Sequence, residues 1–142
     1  MKTVLILGLQ SSLRLFGAFW IFGGFLTLQA ARESLFMDRV LDALTPQKED
    51  RLLSYFLFLS SLLTISTGGA LLLARCWALL PLGLLIASQI VYFTIQKRRL
   101  ARAQTEIDRE MAEVDPATVN AFKVCWGVAI ATGLGCYLGA LS

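Results

Sequence analysis

Histidine is missing altogether from this chain of 142 residues. Without an imidazole there is no bis-His haem ligation, none of the usual zinc or non-haem iron ligand sets, and no His-based acid–base catalysis. Cysteine is sparse, and Cys76, Cys125 and Cys136 stand singly. That spacing excludes a four-helix thiol oxidoreductase built on a C-x-x-C pair. Charge is sparse as well, at 16%, and positions 52–73 and 77–96 carry none. No two carboxylates fall inside the membrane stretches, and no serine has a recognisable partner base. Acid–base hydrolysis and carboxylate-driven proton coupling therefore lack their groups. The reading is a protein that is not an enzyme, with no cofactor and no metal site. Nine of the thirteen bases share segments 32–51 and 97–115 with all ten acids. The net charge of +3 thus makes no basic face for nucleic acid.

What is present is hydrophobic length. Hydrophobic residues make up 56% of the chain and the mean hydropathy is +0.66, too apolar for a soluble globule of this size. Each of the two uncharged runs has about the 20 residues that a helix needs to cross a bilayer core. The turn between them, Ala74-Arg75-Cys76, allows only an antiparallel hairpin. Further membrane helices are expected at 13–31 and 117–141, with the residues before the first its extension or an interfacial lead-in rather than a cleaved leader. The expected fold is all-α: a four-helix transmembrane bundle forming one integral membrane domain over 1–142.

Between these spans two amphipathic stretches stand out. Segment 33–44 gathers Leu35, Phe36, Val40, Leu41 and Leu44 on one face and reads as a short interfacial helix. Thr45 and Pro46 read as the cap and first position of the second membrane helix. Segment 97–114 has no glycine or proline and reads as a cytoplasmic extension of the third helix. Its seam of Leu100, Ala103, Ile107, Met111 and Val114 would dock on a partner. Asp115-Pro116 caps and opens the fourth helix.

Three further constellations are candidates for function. Gly127, Ala131, Gly135 and Gly139 recur every four residues, a ridge where another helix would approach closely. Gln89, Tyr92, Gln96, Asn120 and Lys123 would form a polar vestibule for a lipid headgroup, quinone or small anion. The competing reading is that the amides knit helices together while Lys123 reaches the headgroups. Ser60, Thr64 and Thr67 make a hydroxyl stripe, read as packing contacts. A Cys76–Cys136 disulfide is geometrically allowed, but three unpaired cysteines acting as small hydrophobes are expected.

The RLFGAFWIFGG opening (14–24) and the run GGALLLARCWALLPLGLLIA (68–87) resemble the DoxX-type group of small four-helix bacterial membrane proteins, over about 14–93. That resemblance implies an accessory or companion subunit of a membrane redox or quinone-linked system, without a cofactor of its own, in a bacterial inner membrane. The expected function is a non-catalytic accessory or assembly subunit. The alternative is a homo-oligomeric channel or carrier for a small molecule, lipid or anion. Expected partners are membrane lipid and another membrane protein or copies of this chain. Nine bases in the long loops against three on the side of the termini place the loops in the cytoplasm and both termini outside.

Overall fold

The computed structural model describes residues 1–44 and 51–142. They form an all-α bundle: α1 (Lys2–Leu44), α2 (Arg51–Leu72), a 3₁₀ turn (Cys76–Ala78), α3 (Leu79–Arg102), α4 (Glu106–Ala112) and α5 (Pro116–Tyr137). Four of these are long and apolar enough to cross a membrane: α1, α2, α3 with its leading turn, and α5. They close into a ring in the order α1, α2, α3, α5, with α1 against α2 the most extensive contact. The helix start expected at Thr45 and Pro46 lies outside the described residues.

The α1–α2 contact is made by backbone meeting backbone. A Cβ added to Gly17 would lie 2.7 Å from Gly68 O, and one added to Gly68 would lie 2.7 Å from Gly17 O. Seven residues on, a Cβ at Gly24 would stand 2.8 Å from Ile65 Cγ1 and 3.3 Å from Ser61 O. The same antiparallel register sets Ala31 opposite Ser54, both buried. Small residues thus repeat every heptad on both helices, which keeps one side of each turned to the other over several turns. Gly23, beside this seam, has nothing within 4 Å.

Two expectations about helix ends are overturned. Segment 33–44 is no separate interfacial helix but the unbroken continuation of α1. No glycine or proline interrupts it, and Ser34, Leu35 and Asp38 prolong the α2-facing stripe, partly buried. The third helix does not run on through 114: it ends at Arg102, and Ala103 turns to extended backbone (φ −64°, ψ 123°). Thr105 then caps α4, its Oγ1 accepting from Asp108 N at 3.2 Å. The sequence signal is the T-x-x-D start of a helix, which competes with propensity for a continuous rod. The cap expected at Asp115-Pro116 is present, with Asp115 Oδ1 accepting from Ala117 N at 3.0 Å.

At the opposite end of the bundle, α2 and α5 stop in the same way. Ala74 N donates to Leu71 O and Arg75 N to Ala70 O, with Ala74 in the left-handed region at φ 53°. Gly139 N donates to Cys136 O and Ala140 N to Gly135 O, with Gly139 at φ 74°. This pair of bonds satisfies carbonyls that the last helical turn leaves open. Gly139 is therefore a helix terminator. The two ends are tied together: Cys76 N donates to Ser142 O and Ser142 N to Ala74 O. Cys76 and Cys136 are joined by a disulfide with their Cα atoms 5.8 Å apart, so the expectation of three unpaired cysteines fails for these two. The cause is the paired helix ends, which bring positions 76 and 136 within bridging range.

Two outcomes follow. Gly17→Ala should lower stability in detergent by about 1–3 kcal/mol, since its new methyl meets backbone that cannot yield, whereas Gly23→Ala should be neutral or gain up to about 1 kcal/mol. Unfolding of both variants by denaturing detergent checks this, and equal stability would place the close contact elsewhere. Cys76→Ser should remove about 2–4 kcal/mol, seen as a lower melting temperature, and a reductant should then have no further effect on that variant.

Candidate functional site

Inside the bundle a hydroxyl must find an acceptor, because lipid offers none. Most bond back to their own helix: Thr64 to Ser60 O at 2.7 Å, Thr67 to Leu63 O at 2.8 Å, and Thr132 to Val128 O at 2.7 Å. Two members of the Ser60, Thr64, Thr67 stripe are thereby occupied. The exception spans two helices. Ser54 Oγ donates to Asp38 Oδ2 at 2.8 Å and lies 2.8 Å from Ser34 Oγ. Ser54 has one proton and gives it to the carboxylate, so Ser34 donates to Ser54. This three-residue relay locks the loop-side ends of α1 and α2 together, and it was not anticipated from sequence. Its signal was the heptad spacing that brings Ser54 to α1.

Of the expected vestibule, Gln89, Tyr92 and Gln96 are brought together. They share one face of α3, all three buried at 5%, 5% and 2% exposure. Gln96 Nε2 donates to Tyr92 Oη at 3.1 Å, and the Tyr92 ring stacks on Phe56 of α2 with centroids 4.1 Å apart. Gln89 Nε2 points to Cys125 Sγ at 3.9 Å across the α3–α5 contact. Asn120 and Lys123 are exposed on α5 and do not join this group. Gln89 Oε1 and Ser60 Oγ are buried with no hydrogen-bond partner among the described residues. The Phe56–Tyr92 stack sets the α2–α3 register, which puts these two atoms at about one level of the bundle. Chemically the group offers two amides and a phenol as hydrogen-bonding groups. It carries no ionisable acid or base pair.

The glycine ridge is divided in the structure. Gly135 is buried, and a Cβ there would meet Leu13 Cδ1 of α1 at 3.2 Å. Ala131 is half-buried, Gly127 has nothing within 4 Å, and Gly139 belongs to the terminating turn. The docking seam is divided too. Leu100 lies on α3, and Ile107 and Met111 on α4, with the side chain of Met111 outside the described set. Ala103 and Val114 sit in the extended links and are half-buried. Ile107 stands out in solvent at 66% exposure.

Two concavities flank these residues. A depression of about 840 Å³ runs along α1 past Phe25, Gln29, Arg32, Phe36 and Met37. A groove of about 380 Å³ lies between α2 and α3, lined by Leu52, Tyr55, Phe56 and Leu59 on one side and Ser88, Val91, Tyr92 and Ile95 on the other. Tyr92 is thus both the end of the buried amide group and part of the groove floor. Among the described residues no group of three or more acidic or cysteine side chains is placed to hold a metal ion. Comparison with protein-family models, curated proteins and solved structures finds no match to this chain.

Gln89→Leu should leave stability unchanged or raise it by about 1 kcal/mol, because it removes a buried oxygen that has no partner and keeps the volume. Thermal unfolding in detergent checks it. A large loss would show that the amide is fully bonded within the bundle.

Proposed function

We propose that this chain is a non-catalytic accessory subunit that packs beside a larger membrane assembly. The observation that carries the reading is the overhang of α1. At 43 residues it is about twice as long as α2, with 22, and exceeds a bilayer core by roughly 30 Å. The Gly17–Gly68 register places Leu72, the end of α2, opposite Leu13, so α1 continues past it for more than two turns. There Val4, Leu5 and Leu7 are exposed. An apolar helical stretch extending beyond its own bundle is stabilised when another surface covers it. The likeness of 14–93 to DoxX-type proteins supports the same role.

The orientation proposed has both termini outside a bacterial inner membrane and the long loops in the cytoplasm. Two independent arguments support it: the nine loop bases, and the Cys76–Cys136 disulfide at the opposite end, where an oxidising compartment would maintain it. The alternative is a self-assembled channel or carrier. It draws on Gly127, open on the outside of α5, where a second copy has room to approach.

Native mass of the protein extracted gently from its own membranes tests this. Wild type should run as a hetero-complex well above the 15.6 kDa chain, and Val4→Glu with Leu7→Glu should release the chain with its melting temperature unchanged. Multiples of the chain's own mass would favour the self-assembled carrier, and the bare protomer would overturn both.

A further inference from the structure

The depression along α1 sets one charge of each sign among apolar side chains. Phe25 and Leu28 line one end of it, Gln29, Arg32 and Glu33 its middle, and Phe36 and Met37 the other end. Positions 25, 29, 32 and 36 recur at helical spacing on one side of α1, whereas Gly17 and Gly24 meet α2 on another. Phe25, Phe36 and Met37 are more than half exposed, so the depression opens away from the bundle interior. Its volume of about 840 Å³ is in the range of ligand sites.

The register between helices fixes its depth. Antiparallel pairing of Gly17 with Gly68 sets Arg32 opposite Leu53, and the stacking of Phe56 on Tyr92 sets Leu52 level with Gln96. Leu52 opens one uncharged run and Gln96 closes the other, so Arg32 and Glu33 stand where hydrocarbon gives way to headgroups. Leu28 and Phe25 lie about 6 and 10 Å deeper, at the level of acyl chains. Adjacent helical residues point about 100° apart, so the two charges stand side by side around the helix. Gln29 Nε2 donates to Glu33 Oε1 at 3.3 Å, which steadies the carboxylate from the deeper side.

We infer that this face of α1 is a binding site for a glycerophospholipid with a primary-ammonium headgroup, its phosphate at Arg32, its ammonium at Glu33 and its acyl chains along Leu28 and Phe25. Charge complementarity selects this occupant. A guanidinium presents paired donors to a phosphate. A primary ammonium has three N–H donors to offer the carboxylate, and a quaternary one has none. An anionic lipid without an ammonium would set its negative charge beside Glu33. A soluble zwitterion would leave Phe25 and Leu28 unused. The site is separate from the buried amide group and does not depend on the accessory role.

The test uses the full chain in neutral detergent micelles, titrated separately with phosphatidylethanolamine, phosphatidylcholine and phosphatidylglycerol of identical acyl chains, and read by native mass spectrometry and melting temperature. Wild type should retain phosphatidylethanolamine about tenfold more tightly than either of the others, the scale of one hydrogen bond to a charged group. Glu33→Gln should remove that preference, and Arg32→Gln should weaken retention of all three lipids. Both side chains are exposed, so the melting temperature without lipid should not move. Lys97→Gln, which removes a base at about the same level on α3, should leave retention as in wild type. Equal retention of the three lipids by wild type, or an undiminished preference in Glu33→Gln, would overturn the proposal. So would a loss in Lys97→Gln as large as in Arg32→Gln, since any base at that level would then serve. Glycerophosphoethanolamine, the headgroup without its chains, should not displace the lipid, and competition as strong as the lipid's own would overturn the lipid assignment.

Discussion

The rest of the structure depends on the contact of bare backbone between α1 and α2. At Gly17 and Gly68 the added-Cβ distances of 2.7 Å leave no room for any side chain, so the two axes are held close there. In lipid the hydrophobic effect does not push helices together, and packing at short range has to do it. Once that register is set, Gly24 meets Ser61 and Ser54 reaches Ser34 and Asp38. The Ser34–Ser54–Asp38 relay is therefore a consequence of the glycine contact as much as a reinforcement of it.

The other end of the bundle is held by different means. α2 and α5 both terminate through a left-handed residue, Ala74 in one and Gly139 in the other. Alanine in that conformation costs on the order of 1 kcal/mol more than glycine. Its surroundings offset this: Ala74 is buried, and its carbonyl accepts from Ser142 N. The Cys76–Cys136 bridge then joins the two turns covalently. A short-range contact at one pair of helices and a covalent tie at another leave α5 the least extensively packed against α1, with Leu13 facing Gly135.

Polar chemistry inside the bundle is mostly spent on helix backbones, which leaves few groups to act on anything else. The Ser34–Ser54–Asp38 relay and the buried amides of α3 are exceptions, and the amides sit between an aromatic stack and a cysteine rather than beside a charge. Such an arrangement suits positioning and packing. Apart from Arg14 and Lys123, the charged groups lie outside the stretches 13–31, 52–73, 77–96 and 117–141, where a lipid headgroup or a protein partner would meet them.

Sequence alone determined the features that are local. Four apolar helices, the turn at Ala74-Arg75-Cys76, and the start of α5 at Asp115-Pro116 each depend on residues next to one another in the chain, whose transfer into lipid or hydrogen bonding adds up position by position. Tertiary structure decided which glycines touch and which cysteines pair. Gly17 and Gly127 look alike in sequence, but one meets backbone and the other open space. The reason is that a membrane helix is apolar on every side. Buried Leu13 and Trp20 stand beside exposed Leu15 and Phe19, so hydrophobic periodicity is silent about which face meets a neighbour. Only the register between helices carries that information. It arises from shape matched over several turns, which no single stretch of the chain contains.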